Sequence, residues 1–463
     1  MDQSLVPAGS TAQKRPRSAR NRLWRSAPAM LIKVIRNPIE TLPREAFHAP
    51  LVHGYLLGRE RFHLLEPAII QEALVGNADA LAKGPELQRA LGAVLGQGLL
   101  TGDGAHWRWQ RQSAAPIFRH ERLTGFLPAM LAAARRTRDR WLAAAPGRPI
   151  DVGAAMMETT FDIIVETMLS GRANVDVARV GRAVTHYLDA TGWMFALSLL
   201  GAPVWTPFPG RGRARAAGIY LRGEITRITG ERRAAGAETA DLIGLLLTAS
   251  DPETGRAMTD GEVTDNLLTF IAAGHETTAQ ALAWCFDLLA RHPACEDRVV
   301  AEIARVTSGA ELAPQHIGQL AYTRQAFQEA MRLYPPAPII ARAATRPFRL
   351  ANFSVPAGAM IYVPIYALHR HTALWDDPEA FDPDRFAPDA VAARHRYAYL
   401  PFGAGPRICI GSGFAMLEGV AILATLLQAT RLRPVAAKPP KPRMRLTLRP
   451  AAPLMMTIAN RRD

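Results

Sequence analysis

The chain is poor in cysteine: Cys285, Cys295 and Cys409 are the only three in 463 residues. That number cannot build a disulfide framework and suits a reducing compartment. No run approaches the roughly twenty apolar residues of a membrane-spanning helix. The N-terminal segment has neither a signal-peptide apolar core nor the paired arginines of twin-arginine export, so the chain reads as cytoplasmic. Absent too are a Gly-rich flavin or nicotinamide fingerprint, an iron–sulfur cysteine set and any basic-aromatic platform for nucleic acid. His275-Glu276 opens like the H-E-x-x-H zinc motif, but Ala279 stands where the second histidine is needed. There is no internal repeat.

What is present is a globular composition, 49% hydrophobic and 21% charged, with a formal net charge of +14. Residues 1–40 hold eight Lys/Arg against Asp2 and Glu40, which accounts for +6 of it. Residues 1–21 mix Ser, Gly, Pro, Lys and Arg and read as a disordered basic tail. From 22 to 36, Leu23, Trp24, Ala27, Met30, Leu31, Val34 and Ile35 recur at helical spacing among basic residues. Such a segment either packs on the domain beneath it or makes peripheral contact with a membrane surface. Residues 22–463 are read as one domain.

Short strands are predicted in 51–65, and helices over 68–75, 120–144, 152–170, 176–200 and 215–248, with 76–104 irregular and Gly-rich. Strands return at 348–353, at 360–363 and near the C-terminus. A longer helix is predicted over 260–291, started by the capping-box spacing of Thr259 and Glu262 and stopped by Pro293. At 1.5 Å per residue it spans roughly 45 Å. Gly274, Thr277 and Thr278 in its middle cost about 0.5–1 kcal/mol each relative to alanine, which predicts a local distortion there. The fold class is mainly α with a minor β region.

The most informative stretch is Phe402-Gly403-Ala404-Gly405-Pro406-Arg407-Ile408-Cys409-Ile410-Gly411. Its glycines allow a flat group to approach the backbone, and Arg407, backbone amides and the following helix N-terminus favour a thiolate at Cys409. The bland reading is a structural cysteine in a turn. A c-type heme attachment is excluded, because Ser412-Gly413 follow rather than a second cysteine and a histidine.

These ten residues resemble the heme-binding signature of the cytochrome P450 family, Phe-x-x-Gly-x-Arg-x-Cys-x-Gly, through Phe402, Gly405, Arg407, Cys409 and Gly411. Ala273-Gly274-His275-Glu276-Thr277-Thr278 is similar to the family's Ala-Gly-x-Glu-Thr-Thr. Glu329-x-x-Arg332, with Arg385 in Phe381–Phe386, resembles its structural salt-bridge triad. Trp107-x-x-x-Arg111 resembles its C-helix motif. The resemblance covers roughly 40–460. It implies a P450 fold enclosing heme b, Cys409 as axial iron ligand, and Trp107, Arg111, Arg407 and Arg342 at the heme propionates. It also implies that Glu276 and Thr277 deliver protons beside the distal face. Cys285 and Cys295 are packing residues.

The implied activity is insertion of one oxygen atom from dioxygen into an apolar small molecule. Pocket walls are expected from 76–104, the region of 185–210, Ala272, Ala273 and Ala337 to Ile340. No fused reductase is legible, so electrons are expected from a separate ferredoxin or flavodoxin and reductase, docking near Arg108, Arg119 and Arg407. Two alternatives stand beside this reading: a peroxide-driven peroxygenase, and a non-catalytic thiolate-heme sensor. The first would not need Glu276-Thr277, and no sensory or DNA-binding segment accompanies the second.

Overall fold

Residues 51–64 form the expected hairpin. Leu51–Leu56 pairs antiparallel with Arg59–Leu64, Leu51 lying opposite Leu64, and Gly58 takes a positive φ of 75° in the turn. Met360–Val363 adds in parallel to the second strand; Ile340–Ala344 and Leu81–Ala82 complete a five-stranded sheet in that spatial order. The chain is described, in a computed structural model, over residues 33–461 apart from 57, 146, 169–175, 204, 237–240 and 252. The predicted tail and most of the 22–36 segment therefore lie outside the described residues. Lys33–Arg36 is helical.

Helices make up most of the rest, and several differ from expectation. Residues 76–104 are not irregular throughout: Pro85–Leu95 is a helix, with Pro85 in its first turn and Gly96 ending it at φ 56°. The helix expected over 120–144 breaks into His120–Thr124 and Leu127–Leu142 around Gly125. That over 215–248 divides into Arg211–Ala235, which a left-handed Gly236 stops, and Leu242–Thr248. Positive-φ glycines at 96 and 236, and Pro128 in the first turn of Leu127–Leu142, mark these ends.

The long helix forms over Asp260–Arg291, and the capping box is present: Thr259 Oγ1 accepts from the Glu262 N–H, and Glu262 accepts from the Thr259 N–H at 2.9 Å. The distortion predicted at 272–278 is not found, since helical pairing runs unbroken through it. Gly274 has a packing reason instead. A Cβ there would meet Ile164 Cδ1 at 3.0 Å, where helix Val152–Met168 crosses. This helix contributes to two cores. Ala281, Leu282 and Phe286 pack with the apolar helix Ser412–Ala429, while Val263, Leu267 and Phe270 pack toward helices Pro85–Leu95 and Val177–Leu199. Ser412–Ala429 is long and apolar enough to cross a membrane, but it is largely buried as a core helix.

Arg332 is the tightest polar knot in the fold. Its side chain and that of Glu329 are both fully buried, joined by bonds of 2.6 and 2.7 Å. The remaining N–H groups reach the carbonyls of His369, Pro378 and Ala380 at 2.7–2.8 Å, so all five guanidinium donors are used. Arg385 approaches Glu329 at 3.6 Å without a hydrogen bond from Nε, and its Nη2 donates to the Asp377 carbonyl. His369 extends the knot: Nε2 accepts the Leu400 N–H at 2.9 Å and the other ring nitrogen lies 3.2 Å from the Arg332 carbonyl. Burial holds His369 well below the usual imidazole range, hence neutral, as the accepting Nε2 requires. Leu400 leads directly into the cysteine loop.

Arg332→Ala leaves Glu329 buried without its partner and three carbonyls unpaired. It should lower unfolding free energy by about 3–5 kcal/mol, read as a fall in the urea midpoint. A loss below about 1 kcal/mol would show that the knot is not structural.

Candidate functional site

The cysteine loop is shaped by close approach. Gly405 has φ 71°, and a Cβ there would sit 2.2 Å from the Leu74 carbonyl oxygen, so only glycine fits. The Cys409 N–H donates to the Phe402 carbonyl at 2.9 Å, folding the loop back on itself just before helix Ser412–Ala429. The exposed surface of Cys409 opens onto an internal cavity of about 630 Å³, and protein encloses the thiol elsewhere. That enclosure pushes its titration up, while the Gly411 N–H and Arg111 act the other way.

Ala272, Ala273, Gly274 and Thr277 of the long helix line the same cavity. Small residues of the long helix and the Cys409 thiol thus line one space. Thr277 Oγ1 donates to the Ala273 carbonyl at 2.7 Å. Glu276 is not on the cavity wall. Its buried carboxylate lies behind Thr447, which donates to it, and 3.1 Å from Arg449 Nη2. His275 is a core residue, its Nδ1 on the Ile271 carbonyl at 2.9 Å, and burial lowers its pKa.

One end of the cavity is basic. Arg407 donates to the Gly102 carbonyl at 3.0 Å and to Asp103, and its guanidinium lies 4.0 Å over the Trp107 ring. Arg342 is buried with no carboxylate bonded among the described residues, and its Nη1 reaches only the Ala341 carbonyl. Burial and the Arg407 charge hold it down to about 10. Lys83 completes the cluster. Burial first, then Arg342 and Arg407, push it down to about 7 against the pull of Asp103. Three cations thus share one acid, an arrangement that asks for an anionic ligand. Arg111 also lines the cavity, close enough to Cys409 for the two to influence each other's titration.

Sequence reasoning brought Cys409, Thr277, Trp107, Arg111, Arg342, Arg407, Phe402 and Gly411 to this cavity, and placed its walls in 76–104, at Ala272, Ala273 and at Ala337 to Ile340. It missed Lys83, Thr447 and Arg449, and the wall contributed by Val34, Pro38 and Leu42. Only a lysine beside a Gly-Pro turn marked the first, and nothing local marks the others.

A sequence profile of the Cytochrome P450 family matches residues 39–458. The chain belongs to the cytochrome P450 family. Among similar proteins is cyclooctat-9-en-7-ol 5-monooxygenase of Streptomyces melanosporofaciens, 35% identical over 86% of each chain. Cyclooctatin synthase of the same organism is 32% identical over 91% of each. Human cytochrome P450 4A11 is 30% identical, over 85% of this chain and 78% of that one. The solved cytochrome P450DA heme domain superposes with a TM-score of 0.80 at 26% identity, covering 89% of this chain and 90% of that one. The chain is therefore a P450 monooxygenase whose cofactor is heme b.

The residues present fit that group. The two glycine-lined and alanine-lined walls match its flat ring, and the under-neutralised Lys83, Arg342 and Arg407 match its two carboxylates. An anion beside Lys83 favours the protonated amine, so binding raises a pKa that starts at about 7. Protons are then taken up on binding above that pH, and the apoprotein's affinity for heme falls as pH rises past about 7. Lys83→Met should flatten this dependence in a tryptophan-quenching titration with heme. An unchanged slope would assign the proton uptake to another group.

Proposed function

We propose that the chain hydroxylates an apolar carbon skeleton bearing at most an alcohol, using Cys409 as the iron ligand and Glu276 with Thr277 as the proton-delivering pair. The observation that carries the substrate class is the cavity wall beyond the basic end: Leu87, Leu91, Leu95, Leu99, Leu188 and Phe195 are all apolar. A relative named for cyclooctat-9-en-7-ol, an unsaturated alcohol, supports the same class. Thiolate-bound heme supplies dioxygen activation and O–O cleavage. The protein's part is to hold the substrate dry, orient it against the Ala272–Thr277 wall and move protons through hydroxyl and carboxyl groups.

In the holoenzyme, unsaturated terpenoid alcohols should shift the Soret band toward the high-spin form on titration, whereas dicarboxylic acids of equal length should not. The opposite preference would overturn the assignment of substrate class.

Electrons come, in this reading, from a separate acidic ferredoxin or flavodoxin and its reductase, and the compartment is the cytosol. Arg108 and Arg119 are exposed, and Arg108 is close enough to influence Arg407 over the cysteine loop. Replacing Arg108 by Glu reverses a rim charge. It should slow reduction by a plant-type ferredoxin about tenfold at low salt and flatten the salt dependence. An unchanged rate and slope would move the docking face elsewhere.

A further inference from the structure

Glu276 does not find its partners on its own helix. A buried carboxylate needs partners, and both of those it has belong to the C-terminal segment: Thr447 donates to it, and Arg449 approaches at 3.1 Å. The guanidinium of Arg449 is shared. Its other terminal nitrogen lies 3.2 Å from Asp189 Oδ1, on helix Val177–Leu199, and its Nε has no partner among the described residues. The exposures run outward, 3% for the Glu276 side chain, 25% for Arg449 and 55% for Asp189. One cation thus spans a buried acid and a surface acid.

The helix holding the outer acid also touches the substrate space. Leu188 and Gly192, beside Asp189, line the cavity, as does Thr447 from the other side. Arg445 faces the same cluster, with Asp189, Arg443 and Arg449 acting on its titration. We propose that Arg449 is a positioning residue that holds Glu276 for proton delivery through Thr447, and that Asp189 ties this hold to the cavity helix. The inference rests on the reading of Glu276 as the proton-delivering acid. A displacement of Val177–Leu199 moves Asp189, changes how the guanidinium is divided between the two acids, and so changes how Glu276 is held without touching it.

The test uses holoenzyme with a plant-type ferredoxin and its reductase, without added substrate, after heme loading is verified by the reduced carbon monoxide band. The readouts are the fraction of consumed dioxygen released as hydrogen peroxide and the solvent deuterium isotope effect on NADPH oxidation. A merely structural role would leave the isotope effect unmoved in loaded enzyme. Arg449→Gln should raise the peroxide fraction about threefold and enlarge the isotope effect. Arg449→Lys should restore most of both, and Glu276→Gln with Arg449→Gln should do no more than Glu276→Gln alone.

A change below about twofold in Arg449→Gln, while Glu276→Gln raises the fraction, overturns the inference and leaves the relay standing. No change in Glu276→Gln removes the relay itself, and this inference with it. Asp189→Asn, at the surface, leaves the guanidinium to Glu276 alone and should move both readouts in the direction opposite to Arg449→Gln. If it moves neither, the link to the cavity helix is overturned. Should Arg449→Gln fail to load heme, Thr447→Val and Asp189→Asn decide by the same readouts, a wild-type isotope effect in both counting against the proposal.

Discussion

The buried pair of Glu329 and Arg332 is the constraint on which the site depends. An ion pair without solvent contact is costly to desolvate and is offset only when every donor finds an acceptor. Arg332 meets that condition by taking three carbonyls from the 369–380 segment, which pins a stretch having little regular structure of its own. His369 passes the constraint to Leu400, and the loop that follows presents Cys409. The thiol is therefore positioned by a knot that begins on another helix, not by its own flanking residues alone.

Around the cavity the electrostatics divide by function. The end lined by Lys83, Arg342 and Arg407 carries more positive charge than Asp103 can neutralise, and the protein tolerates this by pushing the lysine toward neutrality. An anionic ligand relieves the imbalance, so cofactor binding and the titration of the pocket are coupled. Leucines and Phe195 supply much of the remaining lining, and Glu276 is kept out of the cavity behind a threonine hydroxyl. Charged side chains also line the cavity outside the basic cluster, at Arg61, Glu86 and Arg445, and the bridge from Glu276 to Asp189 lies behind the wall.

Much of this was legible in the residues. The long helix was bounded by its capping box and Pro293, and the structure ends it at Arg291 as expected. The spacing around Cys409 identified a loop that glycine alone can form, with Gly405 against the Leu74 backbone. Helix ends were read less well, because Pro128 opens a new helix and Gly236 stops one while the apolar periodicity continues past them. The distortion expected at Gly274 was wrong in kind. The residue is small to admit Ile164, a contact that helix propensity does not encode.

By itself the sequence determined the family, the mainly α class, the thiol loop and the small-residue wall facing it. Each is a local pattern, set by spacing within a few residues or one helix face. Only the tertiary structure decided that Lys83 joins Arg342 and Arg407, that Arg111 approaches the thiol, and that Glu276 answers to Thr447 and Arg449. Those partners lie far apart along the chain, and a single lysine, threonine or arginine carries no periodicity to announce its role. Their meaning comes from burial, which turns an ordinary charge into one that must find an opposite.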